Sequence, residues 1–121
     1  MALILVAEDT PDILQMVKDI IETMGHQVIT ASDGVQMIEK AKTYQPKLIV
    51  ADVMMPGAYG SAAYKTLQED SYAKKIPIVF LTAITHDQAD KVIPAAPNVK
   101  VLHKPVDVPT LMAAVTEMLP R

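Results

Sequence analysis

Five residues that could do chemistry each follow a short apolar run: Glu8, Asp9, Asp52, Thr82 and Lys104. Three carboxylates brought close together would repel one another, and this repulsion raises pKa values unless a cation lies between them. Oxygen ligands with room for water suit Mg²⁺. A carboxylate beside such a cation could accept a phosphoryl group, because that transfer needs mainly in-line positioning and neutralisation of charge. The Lys104 ammonium and the Thr82 hydroxyl, facing the carboxylates, would help to neutralise the charge of the phosphoryl oxygens. This chemistry depends on a fold that gathers the five side chains.

The apolar runs are typical of strands buried on both faces of a parallel sheet. They are rich in β-branched residues and do not alternate with polar ones. Pro56 and Gly57 stop the run that ends at Asp52. Because ligands bind at the carboxyl ends of the strands in open α/β sheets, the five residues are expected along one edge. The five predicted strands are residues 2–7, 26–31, 47–51, 77–81 and 98–102.

Helical apolar stripes separate the predicted strands. Thr10 or Asp9 can cap the first helix, with Pro11 in its first turn, and Gly25 ends it. The fourth helix opens at Thr85 with a capping box and cannot run past Pro94. The predicted inner positions of the second and third helices are Met37, Ile38, Ala41, Tyr44, Ala62, Ala63 and Leu67.

Length and composition predict one α/β domain over residues 1–121. The chain is 50% hydrophobic but only 4% aromatic, so its core must be aliphatic. Five strands alternate with five helices, which favours a parallel sheet wrapped by helices through right-handed crossovers. The end of the chain soon after Leu119 favours a stand-alone unit.

Charge and cysteine content exclude several classes. A net charge of -3 without a Lys/Arg run argues against direct nucleic-acid binding and against a membrane surface. The chain has no Cys, so disulfides and thiolate chemistry are excluded, and a cytoplasmic location is expected. Its apolar start lacks a basic n-region, so neither a signal peptide nor a membrane span is predicted.

Four short motifs, in this order, resemble the receiver domain of two-component response regulators over almost the whole chain. They are Glu8-Asp9, Asp52 with Met55-Pro56, Leu81-Thr82-Ala83 and Lys104-Pro105. The resemblance implies a doubly wound, flavodoxin-like sheet with strand order 2-1-3-4-5, which would bring the three carboxylates together at the switch point.

The resemblance also implies roles for the acidic residues. Asp52 would be the phosphoacceptor. Its phosphoryl group would come from a sensor histidine kinase, a phosphotransfer protein or a small phosphodonor. Asp9, Asp52 and the backbone carbonyl of Met54 would bind Mg²⁺ or Mn²⁺, and Glu8 would act through a metal-bound water. Such a domain catalyses only its own phosphorylation and slow dephosphorylation, and is not otherwise an enzyme.

The remaining motif residues would hold the phosphoryl group. By resemblance, Thr82 would hydrogen-bond one of its oxygens, Ala83 would leave space for it, and Lys104 would pair with another oxygen. The bond between Lys104 and Pro105 is commonly cis in this family.

The chain departs from the family pattern at positions that concern readout and lifetime. Val101 stands where the family usually carries Tyr or Phe, and valine has no ring to turn inward. Together with Pro94, this falls on the face made by the fourth helix, fifth strand and fifth helix, where a downstream protein target would bind, and predicts a modified readout. Met54 and Ile84 cannot orient a hydrolytic water, which predicts a long-lived acyl phosphate.

Three alternatives remain beside the phosphorylated switch. A degenerate receiver would only bind partners; intact Asp52, Thr82 and Lys104 argue against it, but Val101 keeps this alternative open. An aspartyl-phosphate phosphatase is the second alternative. Such enzymes usually have a second Asp where this chain has Met54, which argues against this class. A flavin mononucleotide carrier would need a Ser/Thr/Gly-rich loop after the first strand, where Glu8 and Asp9 would repel phosphate.

Overall fold

The computed structural model describes residues 1–53, 60–83 and 97–120. Within them a parallel five-stranded sheet has the order β2-β1-β3-β4-β5. This arrangement confirms the predicted doubly wound α/β fold. The strands are β1 (Leu3–Ala7), β2 (Gln27–Ala31), β3 (Leu48–Asp52), β4 (Ile78–Thr82) and β5 (Val99–His103).

Four α-helices lie in the described residues, whereas the sequence predicts five for the whole chain. The predicted fourth helix, opening at Thr85, lies outside the described residues, as does the loop with Met54, Met55, Pro56 and Gly57. The helices are α1 (Pro11–Thr23), α2 (Gly34–Tyr44), α3 (Gly60–Leu67) and α4 (Val108–Met118), and a 3₁₀ turn spans Ala73–Lys75.

Two hydrophobic layers cover the sheet, one on each face. Alternate residues of the buried strands point to opposite faces, so each face receives its own set of side chains. β3 and β4 are buried along their whole length, and each fully buried Leu or Ile adds roughly 1.5–3 kcal/mol of hydrophobic stabilisation. One layer packs against α1 and α4 and includes Ile4, Val6, Val17, Ile21, Val50, Val79, Leu111 and Val115. The other includes Leu5, Met37, Ala41, Ile49, Ala63, Tyr64, Leu67 and Phe80.

Local signals in the sequence set the ends of the helices. Gly25 adopts φ +93°, and its N–H donates to the Glu22 carbonyl while the His26 N–H donates to the Ile21 carbonyl, which closes α1 in a Schellman motif. The Asp33 carboxylate caps α2 by accepting from the Gln36 N–H at 2.8 Å. These ends fix where each strand after a helix begins.

Two predicted core positions are wrong. Tyr44 is 54% exposed, because it is the last residue of α2, beyond the buried Met37 and Ala41. Ala62 is also exposed, since the buried face of α3 is formed by Ala63, Tyr64 and Leu67. Tyr64 takes the inner place and meets Phe80 edge to face, with ring centroids 6.1 Å apart.

Candidate functional site

The carboxyl edge of the sheet brings together residues that are far apart in sequence. Ala7 of β1 pairs with Ala51 of β3, so the residues that follow them, Glu8 and Asp52, become neighbours. The Glu8 N–H donates to the Ala31 carbonyl at 3.0 Å and so continues the ladder with β2. Backbone hydrogen bonds therefore hold both carboxylates at this edge.

Three carboxylates converge there. Ligand oxygens of Glu8, Asp9 and Asp52 all lie within 4.8 Å of one another. Glu8 and Asp52 are buried, whereas Asp9 is exposed. Thr10 rather than Asp9 occupies the N-cap position of α1, and its N–H donates to Glu8 Oε1 at 3.3 Å. This acidic cluster is the one that the sequence predicts.

Lys104 faces the two buried carboxylates. Its Nζ donates to Asp52 Oδ2 at 3.1 Å and to Glu8 Oε2 at 3.4 Å. The peptide bond between Lys104 and Pro105 is cis. One ammonium thus lies against two acidic groups from different strands.

Two further predicted phosphoryl-binding residues, Thr82 and Ala83, lie at the carboxyl end of β4. Thr82 is fully buried at the end of β4, and the Lys104 N–H donates to its carbonyl at 2.7 Å. Ala83 follows and is exposed. Lys104 is therefore hydrogen-bonded to both Thr82 and Asp52, and Ala83 is the next residue along the chain after Thr82. Met54 and Ile84, predicted to influence metal binding or hydrolysis, lie outside the described residues.

Burial has a clear electrostatic consequence at Glu8. The pKa of Glu8 is raised from 4.5 to about 7, chiefly by desolvation and then by the Asp52 carboxylate, while Lys104 acts in the opposite direction. A single ammonium therefore does not fully compensate two buried carboxylates. A divalent cation at this edge would remove the remaining repulsion, and three carboxylates, one of them exposed, fit the all-oxygen coordination of Mg²⁺.

Val101 occupies the middle of β5, beside Phe80 of β4. It is half-buried and packs against the layer that includes Phe80 and Tyr64. Valine has no aromatic ring, so no ring at position 101 of β5 can turn inward.

A cavity next to the site is not predicted from the sequence. It measures about 430 Å³, lies between α1 and α4, and has Lys104 at its wall. Its signal in the sequence is weak, because Met16 belongs to the same helical stripe as residues that pack in the core. The other lining residues are Ile13, Val17, Leu81, Pro105, Val106 and Leu111.

No helix among the described residues has both the length and the apolar character needed to cross a membrane.

Comparison with solved structures supports the fold. The chemotaxis response regulator CheY4 of Vibrio cholerae is 31% identical, with a TM-score of 0.90 covering 98% of this chain and 99% of that one. The receiver domain of the sensor histidine kinase PA1611 from Pseudomonas aeruginosa has a TM-score of 0.89, covering 97% of this chain and 96% of that one. At 23% identity it is a likeness of fold, and that structure contains a magnesium ion coordinated in the active site cleft.

Comparison with known sequences agrees. Protein PilH of Pseudomonas aeruginosa is 33% identical over 121 residues, which cover 98% of both chains. The polar-differentiation response regulator DivK of Brucella anthropi is 24% identical over 116 residues, covering 96% of this chain and 94% of DivK. The family model for the response regulator receiver domain matches residues 4–116. The chain belongs to the family of response regulator receiver domains of two-component signalling.

Proposed function

We propose that residues 1–121 form a single receiver domain that acts as a phosphorylation-activated switch in the cytoplasm, with Asp52 as the phosphoacceptor. The observation that supports this most directly is the contact of 3.1 Å between Lys104 Nζ and Asp52 Oδ2 beside two further carboxylates. Asp52 is buried and lies beside the Lys104 ammonium, which could pair with a phosphoryl group transferred to Asp52. Structural ion pairs alone would not explain the third carboxylate, on Asp9, at the same edge.

The reaction at Asp52 moves one PO₃ group. A carboxylate oxygen of Asp52 attacks phosphorus in line with the bond to the donor, a P–O bond forms, and the donor's bond to phosphorus breaks. With a phosphohistidine donor, the electron pair of the P–N bond returns to the imidazole, which takes up a proton. Lys104 then pairs with a phosphoryl oxygen, and the Thr82 hydroxyl donates to another.

Mg²⁺ or Mn²⁺ bound at Glu8, Asp9 and Asp52 would supply positive charge that neutralises the phosphoryl oxygens. Asp9, Asp52 and the Met54 carbonyl would be direct ligands, and Glu8 would act through a water. The donors would be a sensor histidine kinase or a phosphotransfer protein. Receiver segments of hybrid histidine kinases are among the relatives, including histidine kinase D of Dictyostelium discoideum, 38% identical over 81 residues that make up 5% of its length.

The output would be a contact with a downstream protein through the predicted fourth helix, β5 and α4. Val101 favours a second candidate, a receiver that binds partners with altered or lost switching. Both candidates have the same residues and the same charges at the phosphorylation site. They differ in whether phosphorylation changes β5 and α4.

The test uses the full chain with Mg²⁺ and acetyl phosphate, followed by intact mass. We expect wild type to gain one phosphoryl group, Asp52→Asn to gain none, and the matched control Asp19→Asn to behave as wild type, because Asp19 is an exposed residue of α1. Equal uptake by Asp52→Asn would refute the assignment.

The two candidates are then separated by NMR with beryllofluoride as the phosphoryl mimic. Amide shifts confined to the carboxyl edge, with none across β5 and α4, would favour the binding module. Shifts that spread over residues 99–118 would favour the switch.

The predicted long life of the acyl phosphate is tested separately. We expect the double variant Met54→Asn, Ile84→Glu to lose its phosphoryl group faster than wild type in a phosphate-release time course. Unchanged or slower release would contradict the role of these two apolar side chains.

A further inference from the structure

The basic residues of this chain are concentrated in one segment. Residues 42–75 contain five of the eleven Lys and Arg residues and, apart from Asp52, only two acids, Glu69 and Asp70. The whole chain has a net charge of -3, so the remainder is strongly acidic. Such an asymmetry is a feature that composition alone hides.

The fold places four of these lysines at the amino edge of the sheet, opposite Asp52. Lys42 lies in the last turn of α2, Lys47 immediately precedes β3, and Lys74 and Lys75 form part of the 3₁₀ turn before β4. All four are exposed. We call the surface formed by Lys42, Tyr44, Lys47, Tyr72, Lys74 and Lys75 the amino-edge surface.

Contacts show that the parts of this surface adjoin. The Tyr72 hydroxyl donates to the Gln45 carbonyl at 3.4 Å, which joins the 3₁₀ turn to the end of α2. The charge of Lys42 is also felt at Asp70, whose pKa is lowered mainly by the Ala73 N–H and additionally by Lys42. The amino-edge surface is therefore one patch and not a set of scattered lysines.

The ammonium groups of this patch are available for a partner. Among the described residues, no carboxylate lies within 4.0 Å of Lys42, Lys47, Lys74 or Lys75, whereas Lys100 and Lys104 both form ion pairs. One oxygen of the nearby Asp70 carboxylate, Oδ2, accepts from the N–H groups of Tyr72 and Ala73 at 3.1 and 2.7 Å. None of these four exposed ammonium groups therefore forms an ion pair within the described residues.

We infer that the amino-edge surface binds an acidic segment of a partner protein. Its four ammonium groups complement carboxylates, and Tyr44, which is 54% exposed, adds an aromatic ring of the kind that protein interfaces favour. The interspersed Glu69 and Asp70, together with the negative net charge, disfavour an extended polyphosphate or an anionic membrane. The partner is therefore a protein with a short acidic stretch.

This binding would be separate from phosphorylation. Each strand has five residues, so the two edges lie roughly 17 Å apart, about twice the Debye length of roughly 8 Å at physiological salt. A phosphoryl group on Asp52 would hardly change the potential at the amino-edge surface. A partner could stay bound there through the whole phosphorylation cycle.

The test is an NMR titration of the full chain with a poly-glutamate peptide at low salt. We expect amide shifts at residues 42–47 and 72–75, roughly threefold to tenfold weaker binding for Lys47→Glu and for Lys74→Glu, and retained binding for Lys47→Arg. The matched control is Lys18→Glu on α1, which changes the net charge equally and should bind as wild type. Asp52→Asn should also bind as wild type, so failure of the proposed phosphorylation would not affect this result.

Three outcomes would overturn the inference. One is the absence of shifts at the amino-edge surface, and another is an equal loss of binding in the Lys18→Glu control. The third comes from parallel titrations with duplex DNA and with vesicles of phosphatidylglycerol and phosphatidylcholine. Tighter binding of either one than of the peptide at this surface would replace the acidic protein by that partner.

Discussion

The two edges of the sheet use charge in opposite ways. At the carboxyl edge, Glu8 and Asp52 are buried and share the single ammonium of Lys104. At the amino edge, lysines such as Lys47 stand in solvent with no ion pair among the described residues. Because burial weakens solvent screening, substitutions should alter stability strongly at the carboxyl edge and hardly at all at the amino edge.

The largest effect is expected from Lys104→Ala without Mg²⁺ at pH 8. The substitution leaves two buried carboxylates without their cation, which should lower the free energy of unfolding by about 2–3 kcal/mol. Urea unfolding measures it. The control is Lys100→Ala, because the ion pair of Lys100 with Glu117 is solvent-exposed and should contribute less than about 1 kcal/mol. Equal losses for the two variants would remove the contrast between buried and exposed pairs.

Glu8→Gln should stabilise the metal-free protein at high pH. The folded-state pKa of Glu8 is about 7 against an ordinary 4.5, so the folded state holds the proton more tightly than the unfolded state. The contribution of Glu8 to wild-type stability should then be fully present below about pH 4.5 and be lost as the pH rises through about 7. Glu8→Gln lacks this fall, and we expect it to be about 1–2 kcal/mol more stable at pH 8.

Urea unfolding in EDTA at several pH values measures this difference. It should vanish at pH 4, because Glu8 is then protonated in both folded and unfolded states. A Glu8→Gln variant less stable than wild type at pH 8 would show that the contact with Lys104 outweighs burial.

Asp70→Asn should have a smaller effect with the opposite pH dependence. Hydrogen bonds from the Ala73 and Tyr72 N–H groups lower the pKa of Asp70 below 3.8, so its contribution to stability is present above that pH and is lost as the pH falls through the lowered pKa. The variant should be slightly less stable than wild type at pH 6 and equal to it under strong acid. Thermal unfolding across this range measures the difference, and a constant gap at every pH would contradict the charged-group explanation.

Lys47→Glu is expected to have the smallest effect on stability. An exposed substitution away from packed or paired groups should change the free energy of unfolding by less than about 0.5 kcal/mol. Urea unfolding checks this, and the same variant serves in the peptide titration. A loss above about 1 kcal/mol would mean that Lys47 has a structural role at the amino edge.

The fold and the gathering of the site could be predicted from the sequence, because parallel strands direct their carboxyl ends to one edge. Glu8, Asp52 and Lys104 meet there as expected. Details that depend on neighbouring strands could not be predicted. Asp52 and Thr82 prove to be the last residues of β3 and β4, since backbone pairing with the adjacent strand continues as far as each of them.

Side-chain placement was the other limit. The approach of Lys104 to Glu8 as well as Asp52 depends on rotamers chosen by tertiary packing, and the cavity between α1 and α4 depends on how two helices far apart in sequence lie together. Tyr44 follows the helical stripe of α2 but is the last residue of that helix, beyond the buried Met37 and Ala41. The hydrophobic periodicity of a helix does not tell where the elements packed against that helix end.

The hydrogen bond from the Lys104 N–H to the Thr82 carbonyl joins the main chains of two residues proposed to hold one phosphoryl group. While this hydrogen bond is intact, the backbone at Thr82 and the backbone at Lys104 cannot move apart. The side-chain ends of Thr82 and Lys104 must therefore move to contact the phosphoryl group, or β4 and β5 must move together as one unit. Hydrogen exchange at the Lys104 amide tests this restriction, because faster exchange on phosphorylation would show that the hydrogen bond breaks and that β4 and β5 move apart instead.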